Sequence, residues 1–212
     1  MWFNTPEQQQ PGRTTKLLPP FRIALIALGL FAVVAPAPAA DWPQWRGPDR
    51  SNVSAETGLL QGWPPDGPPL AWRAGGLGDG VSPVAVAGGR VFSTGYQGDA
   101  EYCTALSAKD GKRLWSVKVG PAVREMAIMR WLSQRTPTVD GERLYVVTVS
   151  GEWVCLTAET GKELWRKHFQ KDFDGRRGSW GFCDYPLVDG DNLIITPGGR
   201  PSSRTANFAF TF

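Results

Sequence analysis

The stretch Glu101-YCTALSAKDGKRLW-Ser116 is written a second time as Glu152-WVCLTAETGKELW-Arg166. Aligned on the turn, Leu106 meets Leu156, Ala108 meets Ala158, Gly111 meets Gly161, Lys112 meets Lys162, Leu114 meets Leu164 and Trp115 meets Trp165, an offset of 50 residues throughout. A fixed period of this size marks stacked supersecondary units such as propeller blades. The upstream halves repeat as well. Ser82-Pro83-Val84 leads to Gly88-Gly89-Arg90, Thr136-Pro137-Thr138-Val139 to Asp140-Gly141-Glu142-Arg143, and Tyr185-Pro186-Leu187-Val188 to Asp189-Gly190-Asp191-Asn192. The front half is present three times and the back half twice.

Each unit reads as four antiparallel strands. The Pro opens the first strand, where a missing N–H is tolerated. Gly88-Gly89 and Asp140-Gly141 are hairpin turns, because Gly takes positive φ freely. The run Arg143-LYVVTV-Ser150 is β-branched and aromatic, as a buried strand should be. Residues 152–157 make a third strand, and Glu163-LWRKH-Phe169 a fourth. In the first blade the four fall near 81–86, 90–94, 101–107 and 113–119. The expected fold is all-β, a partial β-propeller of four-stranded antiparallel blades, about two and a half of them: 81–120, 136–169 and a partial blade at 184–212.

Composition agrees. Gly 25 and Pro 18 are ordinary for a turn-rich β protein, and ten Trp require a repeated structural use. A Trp at one place in every blade fills the gap between blades and buries a large area. Gly111, Trp115, Gly161 and Trp165 are therefore structural repeat residues. The net charge of +3 is in part a feature of the first 40 residues, where Arg13, Lys16 and Arg22 face one acid, Glu7. The remainder carries 20 basic and 19 acidic residues, which gives no reason to expect nucleic acid or an anionic membrane as a partner.

Residues 1–40 read as a secretory signal peptide. A basic region precedes the 13-residue apolar run IALIALGLFAVVA (Ile23 to Ala35), and Pro36-Ala37-Pro38-Ala39-Ala40 supplies small residues for cleavage after Ala39 or Ala40. The run is short for a bilayer span, so no membrane span is expected after cleavage. The mature chain then meets an oxidising compartment with three cysteines, Cys103, Cys155 and Cys183, an odd number. Burial as small apolar side chains is the plain reading, with one disulfide as the alternative. His168 is the single His and no CxxC occurs, so no metal site is expected.

The motif Ala158-ETGKELW, and more loosely Ala108-KDGKRLW, resembles the PQQ-like (quinoprotein-type) β-propeller repeat. So does the opening Asp41-WPQWRGPDR followed by Glu56-TGLLQGWP and Pro69-LAW. The opening looks like the start of outer-membrane-assembly-type propeller proteins, and the resemblance covers roughly residues 41–200. It implies that residues 41–80 form an N-terminal segment in which Pro69-LAWRA-Gly75 supplies a propeller-closing strand, with Trp72 in the repeated-Trp position. The pattern fades after Thr196-Pro197-Gly198-Gly199-Arg200, so the reading is of a truncated member, with the tail from Ala206 able to give one more strand.

Relatives of the quinoprotein type stack a quinone on Trp beside a Ca²⁺ held by Glu, Asn and Asp, an arrangement suited to a hard cation. No such trio is assignable here, and PQQ with Ca²⁺ is the lesser expectation. No nucleophile elbow, phosphate loop or HExxH pattern is present, so no catalytic residue is named. Two inter-blade segments are long. Gly120-PAVREMAIMRWLSQ-Arg135 has the spacing of a short amphipathic helix and carries Trp131. Gln170-KDFDGRRGSWGFC-Asp184 carries Arg177 and Trp180, residue types that suit an anion or a sugar. Trp131, Arg177 and Trp180 are the candidate surface binders, and a packed or solvated loop is the alternative for each. The sequence thus points to an exported, non-catalytic binding or scaffold module of the periplasm or cell envelope. Its expected partners are other envelope proteins, missing propeller blades or further copies of itself. A dehydrogenase or its remnant, and a non-functional gene product, are the alternatives.

Overall fold

The computed structural model describes residues 39–124, 135–178, 181–182 and 184–198, with the backbone of 208–211. The first four strands, β1 (Ala85–Ala87), β2 (Arg90–Gln97), β3 (Ala100–Ser107) and β4 (Arg113–Pro121), pair in sequence order as one antiparallel sheet. The second sheet repeats this with β5 (Thr138–Asp140), β6 (Arg143–Val147), β7 (Glu152–Thr157) and β8 (Glu163–His168). A one-turn helix, α1 (Phe169–Phe173), follows. The third sheet holds β9 (Leu187–Asp189), β10 (Asn192–Ile195) and β11 (Phe208–Thr211), again antiparallel. The chain is an all-β arc of propeller blades, as the repeat demands.

Two details differ from the sequence reading. The first strand of blade 1 begins at Ala85, later than position 81. Pro83 cannot donate to a ladder, and the Ser82 hydroxyl instead donates to the Arg135 carbonyl at 2.6 Å. The chain also leaves β8 one residue early. Phe169 opens α1, where the His168 ring nitrogen accepts from the Gln170 N–H at 3.2 Å and Asp172 Oδ2 accepts from the His168 N–H at 2.6 Å. Those reciprocal bonds satisfy donors at the helix start and turn Phe169 inward, where it is fully buried.

Alternation along the strands builds two cores from one sheet. In blade 2, Leu144, Val146, Val154 and Leu156 face Phe92, Cys103 and Ala105 of blade 1. The residues between them, Tyr145, Val147, Trp153 and Cys155, face Leu193 and Ile195 of blade 3 together with Phe169 and Phe182. A period of two places successive side chains on opposite faces, so blade 2 is apolar on both sides. Full burial of one such side chain contributes about 1.5–3 kcal/mol, so contact between neighbouring blades is a substantial source of stability.

The antiparallel order sorts the connections to two ends. Turns β1–β2, β3–β4, β5–β6 and β7–β8 lie at one end, the turn end. Turns β2–β3 and β6–β7, with the inter-blade segments after Pro121 and Phe173, lie at the other, the loop end.

Candidate functional site

At the turn end, a tryptophan of one blade is seated on a glycine of the next. The Trp115 indole N–H donates to the Ala158 carbonyl at 3.2 Å, and a Cβ built on Gly161 would stand 2.8 Å from the Trp115 ring. Trp72 repeats this on blade 1, with its N–H 2.9 Å from the Ala108 carbonyl and its ring 2.5 Å from where a Gly111 Cβ would lie. Both glycines sit at positive φ, +70° for Gly111 and +71° for Gly161, so Gly serves both the turn and the contact. A bulge aims the tryptophan. Leu106 pairs with Arg113 while Ala105 pairs with Trp115, leaving Leu114 as the extra residue. In blade 2, Leu164 is extra between Glu163 and Trp165 in the same way. Trp165 packs edge-on against Trp153, ring centroids 5.1 Å apart. Residues 69–76 around Trp72 make no ladder among the described residues.

The first strands converge, with β1 against β5 and the Thr138 hydroxyl 3.2 Å from the Pro186 carbonyl just before β9. The opening Asp41-WPQWRGPDR motif lies across these inner edges. Trp42 exchanges two backbone hydrogen bonds with Val86 of β1, at 2.7 and 2.9 Å, and the Pro43 carbonyl accepts from the Val139 N–H of β5 at 2.8 Å. Trp45 then stacks on Tyr185, centroids 4.8 Å apart and planes within 5°. Arg50 donates to the carbonyls of Tyr185 and Pro186. One ten-residue segment thus touches the inner strand of blades 1 and 2 and the lead-in to blade 3. Repeat counting passes over it, because it occurs once; its Trp-Pro-x-Trp-Arg density is the signal that was available.

The loop end carries the buried polar groups. Glu101 is wholly buried, and its carboxylate accepts from the Val149 N–H of the β6–β7 turn at 3.2 Å. Thr94 donates to Ser82 at 3.0 Å and lies 3.2 Å from the Arg135 carbonyl. Burial pushes the Tyr96 hydroxyl up to about 12, with the Glu101 charge adding and the Val123 backbone, Arg135 and Arg124 opposing. Asp184 is likewise raised by burial, against bonds from Thr196 and the charge of Arg135. Arg124 lies over the Tyr96 ring, 5.7 Å from its centroid, and 3.7 Å from Asp79. Arg166 pairs with Glu152 at 3.3 Å and Glu163 at 2.8 Å, and donates across the blade boundary to the Val119 carbonyl at 2.5 Å.

Arg177 is exposed after α1, at the loop end. Trp131, Trp180 and Cys183 lie outside the described residues, as does most of the segment read as an amphipathic helix. Cys103 and Cys155 are buried and free. Among the described residues no three His, Cys, Asp or Glu side chains are grouped so as to hold a metal ion.

The sequence pattern of the family described as outer membrane protein assembly factor BamB, a PQQ-like propeller, matches residues 49–130 and 99–207. The chain belongs to this family. No curated protein matches it. Among solved structures, the quinohemoprotein alcohol dehydrogenase of Comamonas testosteroni is 20% identical, with a TM-score of 0.49 over 73% of this chain and 23% of that one. A second quinohemoprotein alcohol dehydrogenase, from Pseudomonas putida, is 22% identical, with a TM-score of 0.45 over 60% of this chain and 18% of that one. BamB of Moraxella catarrhalis is 16% identical, with a TM-score of 0.29 over 58% of this chain and 45% of that one. The chain therefore spans less than half the length of each. In this chain the Trp-to-Gly seat is the blade-joining contact.

Proposed function

We propose that the chain is an exported, non-catalytic binding or scaffold module of the cell envelope, whose partners are envelope proteins or further propeller blades. The observation that carries this reading is a run of unpacked apolar side chains. Between the opening motif and Trp72, Val53, Leu59, Leu60, Trp63 and Leu70 all stand exposed, Trp63 and Leu70 at 74% each. Five large apolar side chains exposed within one segment are a candidate contact surface. The family description, which concerns outer-membrane protein assembly, supports a place in the envelope. Among the described residues no helix is long and apolar enough to cross a membrane.

The test places a photo-crosslinking amino acid at Leu59 and Trp63, with Glu159 at the turn end as control, in cells that export the chain. A discrete adduct with one envelope protein or with a second copy, from the two apolar sites alone, is the expected result; equal labelling from all three sinks the reading. The dehydrogenase alternative is measured on the same purified chain by dye reduction with added PQQ, Ca²⁺ and a panel of alcohols. Turnover there would replace the scaffold reading with the enzymatic one.

A further inference from the structure

The peptide bond between Ala39 and Ala40 is marked from both sides. Before it stands Ala37-Pro38-Ala39, with small residues at the first and third positions ahead of the bond and an apolar run upstream, the arrangement a leader-removing protease reads. After it, the chain is fastened at once. The Ala40 nitrogen lies 2.8 Å from Glu56 Oε1, Asp41 Oδ2 accepts from the Gly88 N–H at 3.1 Å, and Trp42 and Pro43 bond to β1 and β5. We propose that Ala39–Ala40 is the processing site, and that the terminal ammonium freed there is captured by Glu56. The inference rests on the export reading above.

The chemistry is hydrolysis. The protease adds water across the amide, Ala39 departs with a carboxylate, and Ala40 keeps its nitrogen as an amine that takes up a proton near neutral pH. The neutral N–H to carboxylate bond then becomes an ion pair with the same two atoms. The surroundings favour a cation. Ala40 lines an open cleft of about 500 Å³ with Asp41, Asp49 and Glu56, and no Lys or Arg shares that lining. Cleavage one bond later, after Ala40, would discard the nitrogen that Glu56 accepts from and leave Asp41, whose carboxylate already serves Gly88. Capture of a terminal amine is a recognised mode of peptide recognition; here the site and the terminus belong to one chain. Its consequence is that the new terminus is tethered beside the opening motif, which already bonds to the inner strands.

The experiment expresses the full chain in an exporting bacterium and measures the intact mass of the recovered protein. A mature form beginning Ala40-Asp41-Trp42 is expected. The terminal amine is then titrated by amine-selective acylation at pH 7, for the parent and for Glu56→Gln. The parent should react roughly two- to fivefold more slowly, since an exposed pair is worth well under a tenfold change. Glu56 is exposed, so the variant keeps the fold, and Glu159→Gln, an exposed carboxylate at the turn end outside that cleft, is the control that leaves the rate unchanged. An exported chain beginning at Asp41 or later overturns the inference and leaves export standing. Equal labelling of parent and Glu56→Gln overturns the capture. A chain that keeps Met1 and stays in the cytoplasm overturns this inference and the export reading together.

Discussion

Trp115 donates its indole proton to the carbonyl of Ala158, 43 residues further along and in the next blade, while its ring covers Gly161 of the same turn. Trp72 stands in the same relation to Ala108 and Gly111. The two seats join the Trp72 segment to blade 1 and blade 1 to blade 2 by one geometry.

Replacing Gly161 or Gly111 by Ala should destabilise the chain by about 2–4 kcal/mol, because strain at positive φ adds to a Cβ forced into an indole. Gly141→Ala is the matched control. Its φ is +54° but nothing lies within 4 Å of the added Cβ, so the cost should stay near 1 kcal/mol. Urea unfolding followed by Trp fluorescence measures all three, and equal losses would show that the indole contact adds nothing.

Arg50→Ala should loosen blade 3 while sparing blade 1. Its guanidinium reaches the Tyr185 and Pro186 carbonyls across some 135 residues of sequence, and its removal takes a charged donor from each, at about 1–3 kcal/mol, while Pro186 keeps the Thr138 hydroxyl. Hydrogen exchange should rise in residues 185–195 and stay flat in β2 and β3. Arg46→Ala, which removes an exposed cation from above Trp45, should leave both unchanged.

Cys103 and Cys155 should resist alkylation in the native chain at pH 8 and react fully once urea is added. Burial pushes the Cys103 thiol far above its ordinary range and the Cys155 thiol to about 11, the latter opposed only by the charge of Arg143. The thiolate is the reactive form, so both depressed ionisation and lack of access slow the reaction. Mass spectrometry after a timed pulse reads the result, and rapid native labelling of either would place it at a surface.

Alkaline pH should destabilise the fold through Tyr96. An acid whose folded pKa is raised from 10 to about 12 holds its proton longer folded than unfolded. The unfolded chain therefore releases a proton first, and stability falls as pH rises through 10 towards 12. Tyr96→Phe should flatten that slope. Melting temperature across pH 9–12 makes the comparison, and an unchanged slope would assign the loss to other groups.

The blades, their strand order and their turns were legible because each depends on neighbours in sequence. A Pro before a strand, a Gly in a hairpin and an alternating apolar run act over a few residues, and the 50-residue offset made each signal count twice. The third strand of the last sheet was read from alternation alone. The places where the reading slipped are local as well: Ser82 and Pro83 delay β1, and the His168–Asp172 pair turns Phe169 from strand to helix.

What the sequence by itself determined is the blade: four short strands, and a Trp and a Gly at fixed places in the unit. What only the tertiary structure decided is which blade answers which, and what crosses between them. Trp115 finds Gly161, Glu101 finds the Val149 N–H, and the opening motif finds β1, β5 and Tyr185, because stacked sheets bring together groups that the chain keeps tens of residues apart. Periodicity records the face a side chain is on. The partner on the far side of that face is fixed by how the blades splay about their converging inner strands, and no local rule carries that angle.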